Sequence, residues 1–223
     1  MKNGLLLGEL RAKVLDTANL LPVYGLVWMA GGTVIAHDPE TDYIVVTPSG
    51  LSYKELNPED MSVVDMNLNL IDGKYRASVA TNLWVAIFKA RPDVHAIIHT
   101  HSPYATAFSV IGKPIPIITE TQADWFGAPI PVAKYAHIED DHFVSAPVEA
   151  LGTGFAVQLG QHGPIIVGKT LEHAMERAVT LEEAAKIYHI AKNLGHPMEF
   201  SEDQAWRSYD YYMNRYGQES KSK

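Results

Sequence analysis

Val94-His95-Ala96-Ile97-Ile98-His99-Thr100-His101 is the stretch on which the reading of this chain turns. It is apolar up to Ile98 and then places histidines at i and i+2. Such a run reads as a buried strand. Side chains alternate across a strand, so His99 and His101 point to one face. Two imidazoles side by side can grip a divalent metal, but H-x-H is a short pattern that also arises by accident. The rest of the chain has to supply further ligands.

A zinc-type catalytic site commonly uses three protein ligands and keeps one position open for water or substrate. His162, in Gln161-His162-Gly163, is the third candidate. A strand begins there, and glycine permits a close backbone approach. The other histidines considered read as surface or internally satisfied residues. His37 sits in a turn, His95 at a strand edge, His173 and His189 on a long helix, and His196 after a helix stop.

Around the histidine strand, helices and strands alternate. Residues 9–24 carry Leu10, Val14, Ala18 and Leu21 at helical spacing, with Gly25 as the stop. Residues 34–36 and 43–47 read as strands around the turn at 37–40, and 61–66 as another. Asp72-Gly73 marks a hairpin-like turn. Ser78 is placed to cap a helix running to Ala90, before Arg91-Pro92. Residues 104–110 form a short helix, while 115–119, 155–159 and 165–167 look like strands, with an irregular acidic region between the first two. Thr170 caps the strongest helix, which ends at Gly195. The pattern gives one α/β domain on a largely antiparallel or mixed sheet. It covers residues 1–218, with a frayed tail at 219–223.

Composition narrows the function. The chain has 223 residues, 47% hydrophobic and 20% charged, as in an ordinary globular domain. A formal net charge of −8 argues against nucleic acid or an anionic membrane as main partner. There is no cysteine, which excludes disulfides, thiolate ligands and a cysteine nucleophile. The expected setting is a reducing cytoplasm, and no stretch has the length of a signal peptide core or a membrane span.

Taken together, these motifs resemble the class II aldolase/adducin family. Residues 91–102 look like its metal-binding signature, and Gln161-His162-Gly163-Pro164 looks like its third-ligand motif. Thr47-Pro48-Ser49-Gly50 matches its turn at a substrate phosphate. Thr121-Gln122-Ala123-Asp124-Trp125-Phe126-Gly127 and Arg215-Tyr216-Gly217-Gln218 look most like the L-ribulose-5-phosphate 4-epimerase branch, and L-fuculose-phosphate aldolase belongs to the same family. The resemblance implies a three-layer α/β/α domain. It implies a divalent ion on His99, His101 and His162, with Zn expected first and Mn, Co or Fe also suited to imidazoles. It further implies a C–C bond made or broken in a small hydroxy-carbonyl substrate through a metal-stabilised enediolate. By the same resemblance Asp124 and Tyr216 are proton-transfer candidates, supplied by a neighbouring subunit in a homotetramer with active sites at its interfaces.

The chain departs from that pattern at one telling place. The family's acidic residue at the start of the helix before the histidine strand corresponds to Ala80, and no Asp or Glu lies between Lys74 and Arg91. Glu120, four residues before Asp124, is the candidate replacement. Thr33, Ser49, Gly50 and Ser78 remain of the substrate-contacting set, while Ile35 and Trp84 stand where polar residues are usual. A bound anion loses stabilisation with its donors, so this reading expects a less polar or unphosphorylated substrate near Trp28, Trp84 or Trp125. Two alternatives follow: a metal-dependent decarboxylase of a β-keto or aromatic acid, and a non-catalytic adducin-like binding domain.

Overall fold

The computed structural model describes residues 4–217, so the expected frayed tail at 219–223 lies outside the described residues. Eight strands form a single sheet: β1 (Thr33–Asp38), β2 (Tyr43–Val46), β3 (Ser62–Asp65), β4 (Leu70–Asp72), β5 (Ala96–His99), β6 (Val132–Ala133), β7 (Ala156–Leu159) and β8 (Gly163–Gly168). Their order is β4-β3-β2-β1-β5-β8-β7-β6. Every neighbouring pair is antiparallel except β6 with β7. The histidine strand β5 therefore lies in the middle, hydrogen-bonded to β1 on one side and β8 on the other.

Period-two alternation splits the core into two layers. Val34, Ala36, Ala96, Ile98 and Ile166 face one side. There they meet α1 (Gly8–Val23), α3 (Pro103–Val110), α4 (Glu120–Phe126) and α6 (Leu171–Leu194). Ile35, Ile97, Val157, Ile165 and Val167 face the other, against α2 (Thr81–Ala90) and α5 (His142–Leu151). The result is one α/β/α domain around a mixed, mostly antiparallel sheet. α7 (Glu202–Arg215) closes the described chain, its start fixed by a capping box of Ser201 and Gln204. No described helix is long and apolar enough to cross a membrane.

Several local expectations are corrected. The hairpin between β3 and β4 turns at Asp65, whose carboxylate accepts the Asn67 and Asn69 backbone N–H groups at 2.8 Å each, rather than at Asp72-Gly73. β1 continues through His37, so that residue is in a strand and not a turn. The cap position of α2 belongs to Ala80; the Ser78 hydroxyl accepts from the Ala80 N–H at 3.4 Å and lies 3.4 Å from that of Thr33. Residues 115–119 form only an isolated bridge, Ile115 to Ile130. Glu120 opens helix α4 rather than ending a strand, and α5 occupies ground expected to be irregular.

Gly163, the first residue of β8, is where the two histidine-bearing segments touch. A Cβ there would collide with the Thr100 carbonyl oxygen. Gly195 has nothing within 4 Å. We expect Gly163→Ala to cost about 2–3 kcal/mol by overpacking and Gly195→Ala to stay within about 0.5 kcal/mol. Urea denaturation of both variants checks this, and equal losses would contradict it.

Candidate metal centre

His99 ends β5 and is 5% exposed, on the face that carries Ile97. Its Nδ1 lies 3.0 Å from the Pro164 carbonyl oxygen, which can only accept. The proton therefore sits on Nδ1, and Nε2 presents a lone pair. His101 follows just beyond the strand, its backbone N–H held by the Leu26 carbonyl at 3.0 Å. Gly31 packs against this ring: a Cβ at Gly31 would meet His101 Nδ1 at 3.1 Å. Tyr53 holds that glycine turn by donating to the Gly32 carbonyl at 2.9 Å. His162 comes from the tight turn between β7 and β8, where Gln161 adopts a left-handed φ of 56°.

The three rings converge through their Nε2 atoms. His101 Nε2 lies 3.1 Å from His99 Nε2 and 3.1 Å from His162 Nε2. Nitrogens bound at ~2.05 Å to one tetrahedral ion are ~3.3 Å apart, so the set is close to ligand spacing. Among the described residues, this is the one group of three or more His or carboxylate side chains close enough to share an ion. Burial lowers the pKa of all three imidazoles, that of His99 to about 3. The neighbouring rings depress His99 and His162 further. At neutral pH all three are neutral and available as ligands, as a cation site requires. The donor set therefore fits a divalent ion.

The surroundings divide into an apolar wall and a polar cavity. Trp84, 1% exposed, sets its ring 5.8 Å from that of His99, and its indole N–H has no acceptor among the described residues. Ala80 lies one turn ahead of it on α2. Thr33 pairs with His99 across the β1–β5 ladder and reaches Ser78 on its other side. Ser78 in turn lines a cavity of about 810 Å³ with Ser49, Arg76, Thr81 and Asn82. The Ser49 N–H donates to the Arg76 carbonyl at 3.0 Å, which joins the two loops. Gly50 follows Ser49 in a left-handed turn with φ of 71°.

Asp124, Glu120 and Tyr216 gather elsewhere. Both carboxylates lie on α4, and Glu120 accepts from Ser208 of α7 at 3.3 Å. Loss of water, and secondarily Glu120, raises the Asp124 pKa. Tyr212 stacks between this corner and Tyr216, 5.1 Å from the latter's ring. Trp125 is buried here too, packed on Tyr212 at 5.3 Å, whereas Trp28 is 69% exposed. Sequence reasoning misses Tyr53 and Arg76. Arg76 has a visible signal, a cation two residues before Ser78. Tyr53 has none, because its contact depends on a distant glycine turn.

His162 is the ligand most open to solvent, so its loss tests the centre with least damage to the core. We expect dialysed His162→Ala protein to retain less than a tenth of an equivalent of Zn, Mn, Co or Fe, with the metal-free melting temperature little changed. Elemental analysis and thermal melting read both. Retention of a full equivalent would contradict the site.

Comparison with known proteins places this geometry. Residues 12–189 match the model of the class II aldolase and adducin N-terminal domain. The chain is 32% identical over 222 residues to the L-ribulose-5-phosphate 4-epimerase UlaF of Salmonella paratyphi B, covering 94% of this chain and 96% of that one. Its structure is similar to an L-fuculose 1-phosphate aldolase, with a TM-score of 0.86 at 26% identity, covering 92% of this chain and 96% of the other. A second L-fuculose 1-phosphate aldolase, from Glaciozyma antarctica, gives 0.77 at 28% identity, covering 91% and 81%. A non-catalytic binding domain has no use for three converging, neutral imidazoles. With that centre and these relatives, the chain belongs to the class II aldolase and adducin family as a metal-dependent lyase or epimerase of a small sugar-like substrate.

Proposed function

We propose that the protein epimerises a phosphorylated ketose by breaking one C–C bond and remaking it on the other face of the aldehyde. A divalent ion on His99, His101 and His162, Zn2+ first among the suitable ions, supplies Lewis-acid polarisation of a carbonyl and its neighbouring hydroxyl. The observation that carries the epimerase reading is Ala80. An aldolase that releases two fragments has to protonate the carbon that held the broken bond. An epimerase returns that electron pair to the rotated aldehyde and needs no carbon acid. Ala80 has no proton to give, and Trp84 fills the next turn of the same helix.

The polar cavity suits the phosphate end. Arg76 contributes the charge, and Ser49, Ser78 and Thr33 contribute hydroxyls along a path from the cavity to His99. Gly50 leaves the turn beside Ser49 open. This cation tips the reading toward a phosphorylated substrate, despite the apolar replacements at Ile35 and Trp84. The 4-epimerase relative points the same way. The cysteine-free chain suits a reducing cytoplasm, where such a substrate would be met.

Proton transfer at the substrate hydroxyls falls to Asp124 and Tyr216, with burial, and secondarily the Glu120 carboxylate, raising the Asp124 pKa. We assign these groups to the neighbouring copy of a homotetramer, since within one chain their contacts run to α7 rather than to the triad. The alternative reaction, decarboxylation, is favoured by the apolar Trp84 wall, because burying a carboxylate there promotes its loss.

Incubating metal-loaded protein with L-ribulose 5-phosphate in D2O tests the reading. The expected product is the 4-epimer with no solvent deuterium on carbon. Carbon-bound deuterium with release of two fragments would make it an aldolase, and CO2 from a β-keto acid with no epimer would favour decarboxylation. Tyr216→Phe should lower turnover about 100-fold, the scale of one acid–base group, with metal content unchanged. Mixing this variant with His162→Ala subunits should restore part of the activity if sites form between copies. No recovery in confirmed hybrid tetramers would place both groups in one chain.

A further inference from the structure

His37 and His95 face each other across the β1–β5 pairing, at the opposite end of β5 from His99. Four residues of strand put ~13 Å between the two ends. The His37 backbone N–H donates to the His95 carbonyl at 2.8 Å, which continues the ladder one step beyond the Ala36–Ala96 pair. The two Nδ1 atoms are 3.4 Å apart. The rings are stacked, with 5.6 Å between centroids and planes 22° apart. On its other edge His37 Nε2 lies 2.9 Å from an Asp42 carboxylate oxygen.

That carboxylate decides the tautomer. It accepts a hydrogen bond from Nε2–H, so neutral His37 keeps a bare lone pair on Nδ1, aimed at His95. A carboxylate behind a histidine is also the usual support of a metal-bound imidazole. The gap fits as well: two nitrogens at ~2.05 Å from a tetrahedral ion stand ~3.3 Å apart. It is similar to the 3.1 Å spacings of the catalytic triad. Phe88, 5.3 Å from the His37 ring, braces that ring from the core side. A cavity of about 600 Å³ opens beside the pair, with Lys13 and Asp38 in its walls. It gives an ion a way in and leaves room for waters to complete the coordination.

We propose that His37 and His95 form a second metal site, binding a divalent transition ion through their Nδ1 atoms with Asp42 as the outer support. His95 shifts its proton to Nε2 as the ion enters, so no net proton is released from the pair. Imidazole ligands select Zn2+, Ni2+ or Cu2+ over Mg2+ and Ca2+. With two protein ligands against three, this site is the weaker one, and dialysis empties it first. An ion here ties β1 to β5 and stabilises the folded sheet by mass action.

The test is zinc titration of metal-stripped protein, read by equilibrium dialysis and melting temperature. Wild type should take up two equivalents in two affinity classes. His95→Gln should keep only the tight one. His162→Ala should keep only the weak one, and added Zn2+ should still raise its melting temperature, whereas Mg2+ should not. The His162→Ala arm needs no substitution in the pair itself, so it decides the matter even if His95→Gln fails to fold. Saturation of wild type at one equivalent, or no zinc uptake and no melting shift in His162→Ala, would overturn the proposal.

Discussion

Backbone pairing of β5 between β1 and β8 is the constraint from which the site follows. The β5–β8 register sets His99 opposite Ile165 and brings Thr100 against the start of β8. His162 stands immediately before that start, so a strand-to-strand ladder fixes its distance from His99. The closeness of the approach depends on Gly163, where any side chain would strike the Thr100 carbonyl. On the other side, the β1–β5 register sets Thr33 opposite His99, and Thr33 carries the Ser78 hydroxyl with it toward the centre. No flexible loop has to close for the three imidazoles to meet.

Electrostatics then follow from burial rather than from ion pairs. His99 is sealed beneath Trp84 and flanked by His162 and His101, so its pKa is driven down to about 3 even though the Pro164 carbonyl pulls it the other way. The centre is thus kept as a set of neutral lone pairs, poised for a cation and indifferent to protons near neutrality. The groups proposed for proton transfer lie elsewhere, on α4 and just past α7, where burial raises the Asp124 pKa. Separating metal grip from proton transfer leaves the grip rigid. In the proposed mechanism the proton-transfer groups belong to a neighbouring copy.

Most of what positions the centre is legible locally. The apolar run that ends at His99, the capped helix α6 and the glycine after His162 are signals written in adjacent residues. The triad is readable because His99 and His101 close an apolar run and His162 stands directly before a glycine that opens the next strand. Helices α4 and α5 are not. α4 spans only Glu120–Phe126, short despite its Thr119 cap and Gly127 stop, and α5 contains Pro147 and starts at His142 with no side-chain cap from Asp141. Both are held by tertiary packing that outweighs weak local propensity. Part of the role of Ser78 escapes a local reading for a related reason: besides the Ala80 backbone N–H, its hydroxyl meets Thr33, a partner 45 residues away in sequence. Such long-range contacts, like that of Tyr53 with Gly32, leave no periodic trace.

The central claim is a three-imidazole ion at the end of β5. X-ray absorption at the zinc edge, on protein loaded with a single equivalent, tests it most directly. The expected first shell is three imidazole nitrogens at ~2.0–2.1 Å with oxygen completing it. In His162→Ala loaded the same way the three-nitrogen shell should be lost, any zinc still bound showing at most two imidazoles. A first shell made mainly of carboxylate oxygens, or one unchanged by loss of His162, would contradict it.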